Sequence, residues 1–298
     1  MTKRVVIGGS TGLIGSVLVE RLEARGDEVI RLVRSPDEPG VMWDPATGRV
    51  DPTVLEDADA VVVLNGVSLY GRRWSESRKR QIVASRVDSV GTIAGALAAL
   101  GPGAPVLVAG SAIGYYGDRG DEILTEASTN GDDFLAGVCM AWEAAAAPAR
   151  EVGVRVAHIR TGIVLSRDGG ALKPMLPLFR LGVGGRIGDG TQWWSWISEE
   201  DIVGVIVHAI DTEMNGPVNA VAPNAVTNGV FTRTFGEVLR RPTVIPVPRI
   251  GLNIRLGSEL AEAIGYASQR VRPAVLEATG YEFTHTDLES ALRSALDR

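Results

Sequence analysis

Three glycines near the start of the chain, Gly9, Gly12 and Gly15, separate two different hydrophobic patterns. Residues 5–7 are apolar and β-branched, which predicts a strand buried on both faces. Residues 13–22 carry apolar side chains at helical spacing, which predicts an amphipathic helix. A strand, a glycine-rich turn and a helix in this order constrain the fold strongly, because a doubly wound α/β sheet begins in this way.

The same order gives the glycines a chemical purpose. Glycines let the backbone turn tightly and approach a pyrophosphate, and the free N–H groups of a helix N-terminus attract phosphate. We therefore predict a dinucleotide site at this turn, the alternative being a purely structural glycine turn. The residues expected to contact the cofactor here are Gly9, Ser10, Thr11, Gly12, Leu13, Ile14 and Gly15.

The composition of the chain excludes several classes of binding partner and indicates the cellular compartment. The chain has 298 residues and a formal net charge of −6, whereas a nucleic-acid-binding face needs a basic excess, so we expect no nucleic acid partner. No uninterrupted apolar run reaches the roughly 18 residues that cross a membrane, and no leader precedes the first strand. We therefore expect no membrane association.

The cysteine and histidine content bears on the compartment and on metal binding. The single cysteine, Cys139, fits a reducing cytoplasm. The histidines have no neighbours at metal-ligand spacing, so we expect no metal.

The end of the second predicted strand indicates which dinucleotide is bound. This strand covers residues 28–33, and Arg34 and Ser35 follow it. Proteins that bind the unphosphorylated dinucleotide usually place a carboxylate about 20 residues after the glycines, on the ribose hydroxyls. A cation followed by a hydroxyl suits the additional 2′-phosphate instead. We therefore predict NADP(H), the alternative being that Arg34 is merely solvated at a strand end.

The third predicted strand, residues 60–64, ends in Asn65 and Gly66. Small residues at the carboxyl end of a parallel strand belong to the ligand crevice, because bulkier side chains would block the approach of the backbone. A long helix is predicted over residues 75–100, with Arg86 in its middle. A basic stretch such as this is by default a solvated face, but Arg86 is also a candidate for lining the mouth of the cofactor site.

Further short motifs form an ordered series along the chain, and the series as a whole is more specific than any single motif. They lie at residues 73–74, 85–86, 114–118, 142–143, 160–165, 188–193, 196–197 and 269–271. Together with the glycine turn, this series resembles the atypical, epimerase-family group of extended short-chain dehydrogenases/reductases, some of whose members are labelled cell-division-inhibitor-like. The resemblance extends over essentially the whole chain.

The resemblance implies a Rossmann-type doubly wound parallel sheet, NADP(H) binding and a smaller, mostly helical C-terminal substrate domain. It leaves the small-molecule substrate unidentified, and it allows a homodimer formed through the long helix. We predict a nucleotide-binding domain over residues 1–165 and about 200–222, and a substrate domain over residues 166–199 and 223–298.

The resemblance also gives roles to residues after the fourth predicted strand. In these proteins a serine or threonine, followed by Tyr-Gly, bonds the reacting oxygen of the substrate. Ser111 is the candidate here, although an ungapped match from Tyr116 puts Ala112 at the usual position. The segment after the fifth strand lies along the nicotinamide in this group, so Arg160 and Gly162 are expected to contact the cofactor.

A cluster of tryptophans leaves two alternatives open. Trp194 and Trp196 lie two positions apart and would share one face of a strand, opposite Trp193. They suit packing between domains and an aromatic wall of a substrate pocket equally well.

The main departure from the family pattern lies in the helix predicted over residues 132–150. Active relatives carry Tyr-x-x-x-Lys there, with tyrosine as the general acid/base and lysine lowering its pKa and holding the nicotinamide ribose. Anchored on residues 142–143, these positions are Leu135 and Cys139. Leucine has no proton to transfer, and a thiol in an apolar stretch tends to stay neutral.

Two hypotheses follow from this departure. In the first, the chain is an NADP(H)-dependent oxidoreductase or epimerase-like enzyme, in which Ser111 orients the substrate and Tyr115 or Tyr116 donates the proton. In the second, the chain binds NADP(H) without chemistry and regulates a partner as a sensor. Motif context favours the enzyme, whereas Leu135 and Cys139 favour the sensor.

Overall fold

A seven-stranded parallel sheet forms the centre of the computed structural model, which describes residues 2–70, 73–248, 253 and 257–297. The strands are β1 (Arg4–Gly8), β2 (Glu28–Val33), β3 (Val41–Met42), β4 (Ala60–Val63), β5 (Val106–Ala112), β6 (Ile123–Leu124), β7 (Val156–Thr161), β8 (Ile163–Leu165), β9 (Trp193–Trp194), β10 (Trp196–Ser198), β11 (Gly216–Ala220), β12 (Val226–Thr227) and β13 (Arg270–Val271). The helices are α1 (Leu13–Arg25), α2 (Thr53–Glu56), α3 (Glu76–Leu100), α4 (Phe134–Ala144), α5 (Ala147–Glu151), α6 (Leu172–Arg180), α7 (Glu199–Asp211), α8 (Asn228–Leu239), α9 (Ser258–Ala261), α10 (Ala274–Ala278) and α11 (Leu288–Asp297).

The strand order confirms the predicted doubly wound fold. The sheet runs β11–β7–β5–β4–β1–β2–β3, and its neighbouring strands are parallel. Val5 in β1 is the register partner of Val29 in β2 and of Ala60 in β4. The chain therefore changes direction across the sheet between β1 and β4, and ligands of such sheets lie outside the carboxyl ends of the strands at that point.

Side chains alternate between the two faces of the sheet, and each face has its own helices. Ile7 and Val62 belong to a core with α1 and α7, whereas Val6 and Val61 belong to a core with α3, α4 and α5. Both sets are inaccessible to solvent. The continuous apolar runs predicted from the sequence are thus explained by burial on both faces.

A third core lies in the later part of the chain and packs α6, α8 and α11 against β9 and β10. Trp194 and Trp196 are buried in it, and the Trp194 ring meets Phe231 edge-to-face with ring centroids 5.0 Å apart. Trp193 is half-buried on the opposite side, under the Arg270 guanidinium at 4.2 Å. The predicted opposition of these tryptophans is confirmed, and Trp194 and Trp196 serve packing. The domain boundaries themselves stay a prediction.

The helix predicted over residues 132–150 is two helices, α4 and α5. Pro148 explains the break, because proline has no N–H to donate and lies within the first turn of α5. Asp133 begins α4 as its N-cap and accepts a hydrogen bond from the Ala136 N–H.

By length and composition alone one described helix, α3, could cross a membrane, which the count of uninterrupted apolar residues does not anticipate. In the structure its buried side chains, Val90, Ile93, Ala94 and Leu97, pack in the core beneath the sheet. The core helix of a globular domain meets the same criteria.

Candidate cofactor and active site

The turn after β1 has room only for glycine at two positions. Gly9 adopts a φ of +86°, and a Cβ there would lie 2.9 Å from the Leu64 carbonyl carbon. A Cβ on Gly15 would overlap the carbonyl oxygen of Gly9, because α1 packs directly on the turn. The Gly12 N–H donates to the same Gly9 oxygen at 3.0 Å. The glycines therefore bring β1, β4 and α1 into backbone contact.

The N-terminus of α1 is open at this turn. Its N-cap, Gly12, is extended, and no side chain of the described residues caps the first helical N–H groups. The first turn contains no acidic residue either. Leu13 and Ile14 anchor the helix by packing on the core, Ser10 is buried and Thr11 is exposed. Uncapped N–H groups at the positive end of a helix dipole form an anion site.

Arg34 and Ser35 lie beside this turn. Gly8 at the end of β1 is the register partner of Leu32 in β2, so the two strands end close together. Arg34 is exposed, and within the described residues its guanidinium has no hydrogen-bond or ion-pair partner. Ser35 Oγ accepts a hydrogen bond from the Asp37 N–H at 3.3 Å. The Arg34 guanidinium is therefore available to a ligand, and its contact with a 2′-phosphate stays a prediction.

Asn65 and Gly66 border the turn on the side of β4. Asn65 Oδ1 is buried without a partner, and a Cβ on Gly8 would lie 2.5 Å from it. A Cβ on Gly66 would lie 3.0 Å from Arg86 Cζ. Arg86 Nη1 donates to the Val67 carbonyl oxygen at 3.2 Å, and burial lowers the pKa of its guanidinium. Within the described residues Arg86 has no carboxylate partner, so the crevice has an unneutralised cation on this side.

A chain of buried polar side chains joins β5, α4, β7 and β11. Ser111 Oγ donates to Glu143 Oε1 at 2.7 Å. Arg160 Nε and Nη2 donate to the two Glu143 oxygens at 2.8 and 2.9 Å, which makes the pair bidentate. Arg160 Nη1 donates to the Tyr116 hydroxyl at 3.0 Å, and that hydroxyl donates to Asn219 Oδ1 at 2.6 Å. Each polar group in this network bonds another member.

The network sets the charges of its members. Burial raises the pKa of Glu143, but the hydrogen bonds and positive charge of Arg160 outweigh burial and hold that pKa below its usual value. Burial lowers the pKa of Arg160, and its bonds to Glu143 more than reverse this. Burial raises the pKa of Tyr116 to about 12 against the opposing charge of Arg160. The pair is therefore ionised and the Tyr116 phenol is neutral at physiological pH.

Tyr115 belongs to the same turn, Ile113–Tyr116, but its hydroxyl is not in the network. The Arg160 Cζ lies 3.5 Å from the centroid of the Tyr115 ring, so guanidinium and ring are stacked. Tyr115 is half-buried, and within the described residues its hydroxyl has no hydrogen-bond partner. Of the two tyrosines proposed as proton donors, the structure engages the Tyr116 hydroxyl and leaves the Tyr115 hydroxyl free.

Leu135 and Cys139 face the segment that follows β5. A Cβ on Gly114 would lie 3.3 Å from Leu135 Cβ and 3.9 Å from Cys139 Sγ. Cys139 Sγ lies 3.6 Å from the Ala112 carbonyl oxygen, and burial raises the pKa of the thiol to about 12. Glu143, one helical turn further along α4, continues the same face. Apolar contacts and a neutral thiol are thus found at the two positions where the resemblance predicts the family's tyrosine and lysine.

Gly162 and His158 are closely packed against neighbouring residues or buried. Gly162 is required by packing, because a Cβ there would lie 2.7 Å from both the Ser195 carbonyl oxygen and Val221 Cγ1. His158 is 2% exposed, and neither ring nitrogen has a hydrogen-bond partner. Burial lowers the pKa of the His158 imidazole to about 4. Within the described residues no three His, Cys, Asp or Glu side chains converge as metal ligands do.

Three residues of the site were not identified as functional candidates from the sequence. Glu143 anchors the family motif in the sequence without a role of its own, although its spacing of four residues from Cys139 places it on the same face of the helix. Gln269 lies in one of the motifs that carry the resemblance, and its side-chain amide donates to carbonyl oxygens at both ends of the turn that carries Tyr115. Asn219 lies in an ordinary strand pattern, and nothing local marks it, because its partners Tyr116 and Arg272 are remote in sequence.

These elements define a class of protein, a Rossmann-type nucleotide-binding fold with its glycine turn at the switch point of the sheet. A family model described as the NAD dependent epimerase/dehydratase family matches residues 5–222, and a second, described as a domain of unknown function (DUF1731), matches residues 247–295. The chain therefore belongs to the NAD-dependent epimerase/dehydratase family, and the resemblance seen in the sequence is confirmed.

Similar proteins extend over the full length. An epimerase family protein of Mycobacterium tuberculosis is 41% identical over 297 residues, which cover 99% of this chain and 98% of that protein. The crystal structure of the human epimerase family protein SDR39U1 with NADPH matches with a TM-score of 0.89 and 34% identity, covering 99% of both chains. A nucleoside-diphosphate sugar epimerase from Corynebacterium glutamicum matches with a TM-score of 0.79 and 41% identity, covering 99% of this chain and 58% of that chain.

Proposed function

We propose that this chain binds NADP(H) and is an oxidoreductase or epimerase-like enzyme that transfers hydride to or from a small polar substrate. The observation that carries the proposal is the open N-terminus of α1 at the glycine turn, with the unpartnered Arg34 beside it. Helix N–H groups suit a pyrophosphate, and a guanidinium suits a 2′-phosphate. The NADPH in the structure of the human relative supports the same cofactor.

The binding roles follow from the positions of the residues. The turn and α1 would hold the pyrophosphate, Arg34 and Ser35 the 2′-phosphate, and Asn65, Gly66 and Arg86 the opposite wall. Arg160 and Gly162 would act indirectly, because Arg160 is bonded within the network and Gly162 is packed. When bound, the nicotinamide ring supplies or accepts the hydride.

We assign the proton transfer to Tyr115. Its hydroxyl would donate a proton to the carbonyl oxygen as hydride reaches the carbonyl carbon, and would take the proton back in the reverse reaction. Tyr116 is less suited, because its hydroxyl is committed to Asn219 and Arg160. Ser111 donates to Glu143 and so keeps only its lone pairs for the substrate, which makes Tyr115 the donor in this proposal.

A second candidate function is a cofactor-dependent sensor without chemistry. Leu135 and Cys139 favour it, because neither can replace the acid/base tyrosine or its lysine. In this alternative, NADP(H) occupancy would change the affinity for a partner protein. A partner that binds equally with and without the cofactor would exclude it, because a ligand without differential affinity shifts no equilibrium.

The first experiment is calorimetric titration of the protein with NADPH and with NADH. We expect a preference for NADPH that Arg34→Ala reduces by about tenfold or more, as the loss of one charge-assisted contact would. Arg31→Ala is the matched control, because Arg31 lies on the same strand end but is paired with Glu23 at 3.1 Å. An equal loss in both variants, or a wild-type preference for NADH, would overturn the cofactor assignment.

A second experiment separates enzyme from sensor. NADPH oxidation is followed at the nicotinamide absorbance band with a panel of carbonyl compounds that includes nucleoside diphosphate sugars. Turnover that Tyr115→Phe reduces by ~10²-fold or more, with Tyr116→Phe affecting it less, supports the enzyme and its proton donor. Tight NADPH binding without turnover on any compound supports the sensor. We also propose a homodimer formed through α3, which sedimentation would test. We propose a cytoplasmic location as well, which localisation of the protein in cells would test.

A further inference from the structure

The segment Ser268 to Arg272, within the domain of unknown function, is hydrogen-bonded to the turn that carries Tyr115 and to the residues that follow it. Gln269 Nε2 donates to the Ile113 carbonyl oxygen and to the Gly117 carbonyl oxygen, both at 3.1 Å. These two oxygens lie at the beginning and just beyond the end of the Ile113–Tyr116 turn. One side-chain amide thus bonds both ends of a single 3₁₀ turn, an element that is weak by itself.

The same segment continues along the chain that follows the turn. The Ser268 N–H donates to Asp118 Oδ1 at 3.1 Å, and Ser268 Oγ donates to the Gly120 carbonyl oxygen at 2.7 Å. In return the Arg119 N–H donates to the Ser268 carbonyl oxygen at 3.0 Å. β13 then pairs in parallel with β6, with Arg270 opposite Ile123. Residues 113–124 are therefore bonded to residues 268–272 at successive positions.

The last residue of the segment reaches the buried polar network. Asn219 Nδ2 donates to the Arg272 carbonyl oxygen at 3.0 Å, while its Oδ1 accepts from the Tyr116 hydroxyl. Ser195 Oγ donates to the Gln269 carbonyl oxygen at 2.8 Å and accepts from the Val271 N–H at 2.9 Å. The segment is thereby fixed to the third core as well as to the turn.

We propose that this C-terminal segment positions Tyr115, with Gln269 as the positioning residue. Tyr116 fixes one side of the turn through its hydroxyl, and Gln269 fixes the backbone at both ends. Together they hold the Tyr115 ring on the Arg160 guanidinium. The proposal gives the domain of unknown function a role in the active site; the catalytic part of that role rests on the proposed function of Tyr115.

The test replaces Gln269 by methionine, which has a similar length but no N–H donor, and by glutamate, which keeps polarity and shape. Gln192→Met is the matched control, because Gln192 Nε2 also donates to two carbonyl oxygens, those of Ile187 at 3.2 Å and Gly265 at 2.8 Å. Amide hydrogen exchange is measured over residues 113–124 and 187–190, together with NADPH affinity.

We expect both Gln269 variants to accelerate exchange in residues 113–117 by roughly fivefold to tenfold, since each loses two hydrogen bonds there. NADPH affinity should stay within about twofold, because the glycine turn is untouched. Gln192→Met should accelerate exchange near residue 187 instead. Unchanged exchange in residues 113–117 in the glutamate variant, or the same pattern in Gln192→Met, would overturn the proposal.

Turnover separates positioning from a merely structural role. With a carbonyl compound that the wild-type protein reduces, the Gln269 variants should lower kcat by about tenfold and leave KM nearly unchanged, because the substrate still binds while the proton donor is misplaced. Unchanged kcat despite accelerated exchange would sink the positioning role. If the wild-type protein binds NADPH but reduces no compound, the function proposed for Tyr115 fails, while the exchange data still decide whether the segment holds the turn.

Discussion

The two sides of the crevice use their polar groups in opposite ways. On the side of β1 and β2, the N-terminus of α1 is uncapped and Arg34 is without a partner in the described part of the chain. On the side of α4, Glu143 and Arg160 are saturated by bonds to each other and to their neighbours. Polar groups without protein partners can bind a ligand, whereas groups that already bond each other stabilise the fold. The first side therefore has groups that can bind a cofactor, whereas on the second the charged residues bond each other and, within the described residues, the Tyr115 hydroxyl is left without a partner.

Glu143→Gln should have the largest effect if the α4 side is structural. The substitution leaves the Arg160 guanidinium buried without its counter-ion, and breaking a buried pair costs about 3–5 kcal/mol. We expect that loss in the free energy of unfolding measured by urea denaturation. NADPH affinity of the folded variant should change little, because β5 and β4 lie between β7, which carries Arg160, and β1, which leads into the glycine turn.

Glu289→Gln provides the control for this prediction. Glu289 pairs with Arg293 at 2.7 Å on the surface of α11, where both side chains are about half exposed. An exposed pair of this kind contributes roughly 0.3–0.5 kcal/mol. If the two variants lost equal stability, the α4 side would not be a saturated structural network.

Acid should destabilise the protein through His158 over a defined range of pH. The pKa of the imidazole is about 4 in the fold and 6.5 in the reference state, so the unfolded chain takes up a proton that the folded chain refuses. Above pH 6.5 the imidazole is neutral in both states and does not destabilise the fold. As the pH falls from 6.5 towards 4, the free energy of unfolding decreases, and the total loss is about 3 kcal/mol.

His158→Leu should remove this pH dependence, and it breaks no hydrogen bond because both ring nitrogens lack partners. The measurement is the unfolding free energy at several pH values between about 7 and about 5, where most carboxylates stay ionised. A wild-type slope that persists in His158→Leu would show that other groups cause it and that the imidazole is not sealed beneath the α4 side.

Gly15→Ala tests the open side. The added Cβ overlaps the Gly9 carbonyl oxygen, which is backbone and cannot rotate away. We expect a loss of about 2 kcal/mol in the unfolding free energy, as for other overpacked sites. NADPH affinity should fall by at least tenfold, because α1 must move from the turn. Gly91→Ala is the control, since a Cβ there meets nothing within 4 Å and alanine favours a helix by about 1 kcal/mol. Equal NADPH affinity in both variants would contradict the assignment of the turn.

The open side was predictable from the sequence because its determinants are local. The apolar run, Gly9, Gly12, Gly15 and the helical pattern are adjacent in the chain, and a turn, its φ angle and the start of a helix follow from neighbouring residues. The family resemblance then supplied the fold. Arg34 could be located because it directly follows a strand whose register partner is β1.

The network on the α4 side could not be predicted in the same way. Ser111, Glu143, Arg160 and Asn219 come from four elements, and their contacts exist only once the sheet is assembled. Periodicity identifies a face of α4 but not what lies opposite it. The sequence also leaves open whether Ser111 or Ala112 lies on the side of α4. In the structure Ser111 bonds Glu143, and because side chains alternate along β5, Ala112 lies on the other face.

The smallest effect is expected at Cys139, and it tests whether the α4 side is chemically silent. Burial raises the pKa of the thiol to about 12, so roughly one thiol in ten thousand is ionised at pH 8, and only the thiolate reacts. Native protein should be inert to a thiol reagent, and one thiol per chain should react after denaturation, since the chain has a single cysteine. Cys139→Ala, the control for reagent specificity, should show no labelling in either state and should change NADPH affinity and turnover by less than about twofold. Rapid labelling of the native protein would mean that the crevice holds a reactive nucleophile at the position of the missing lysine, and the contrast between an open and a saturated side would fail at that residue.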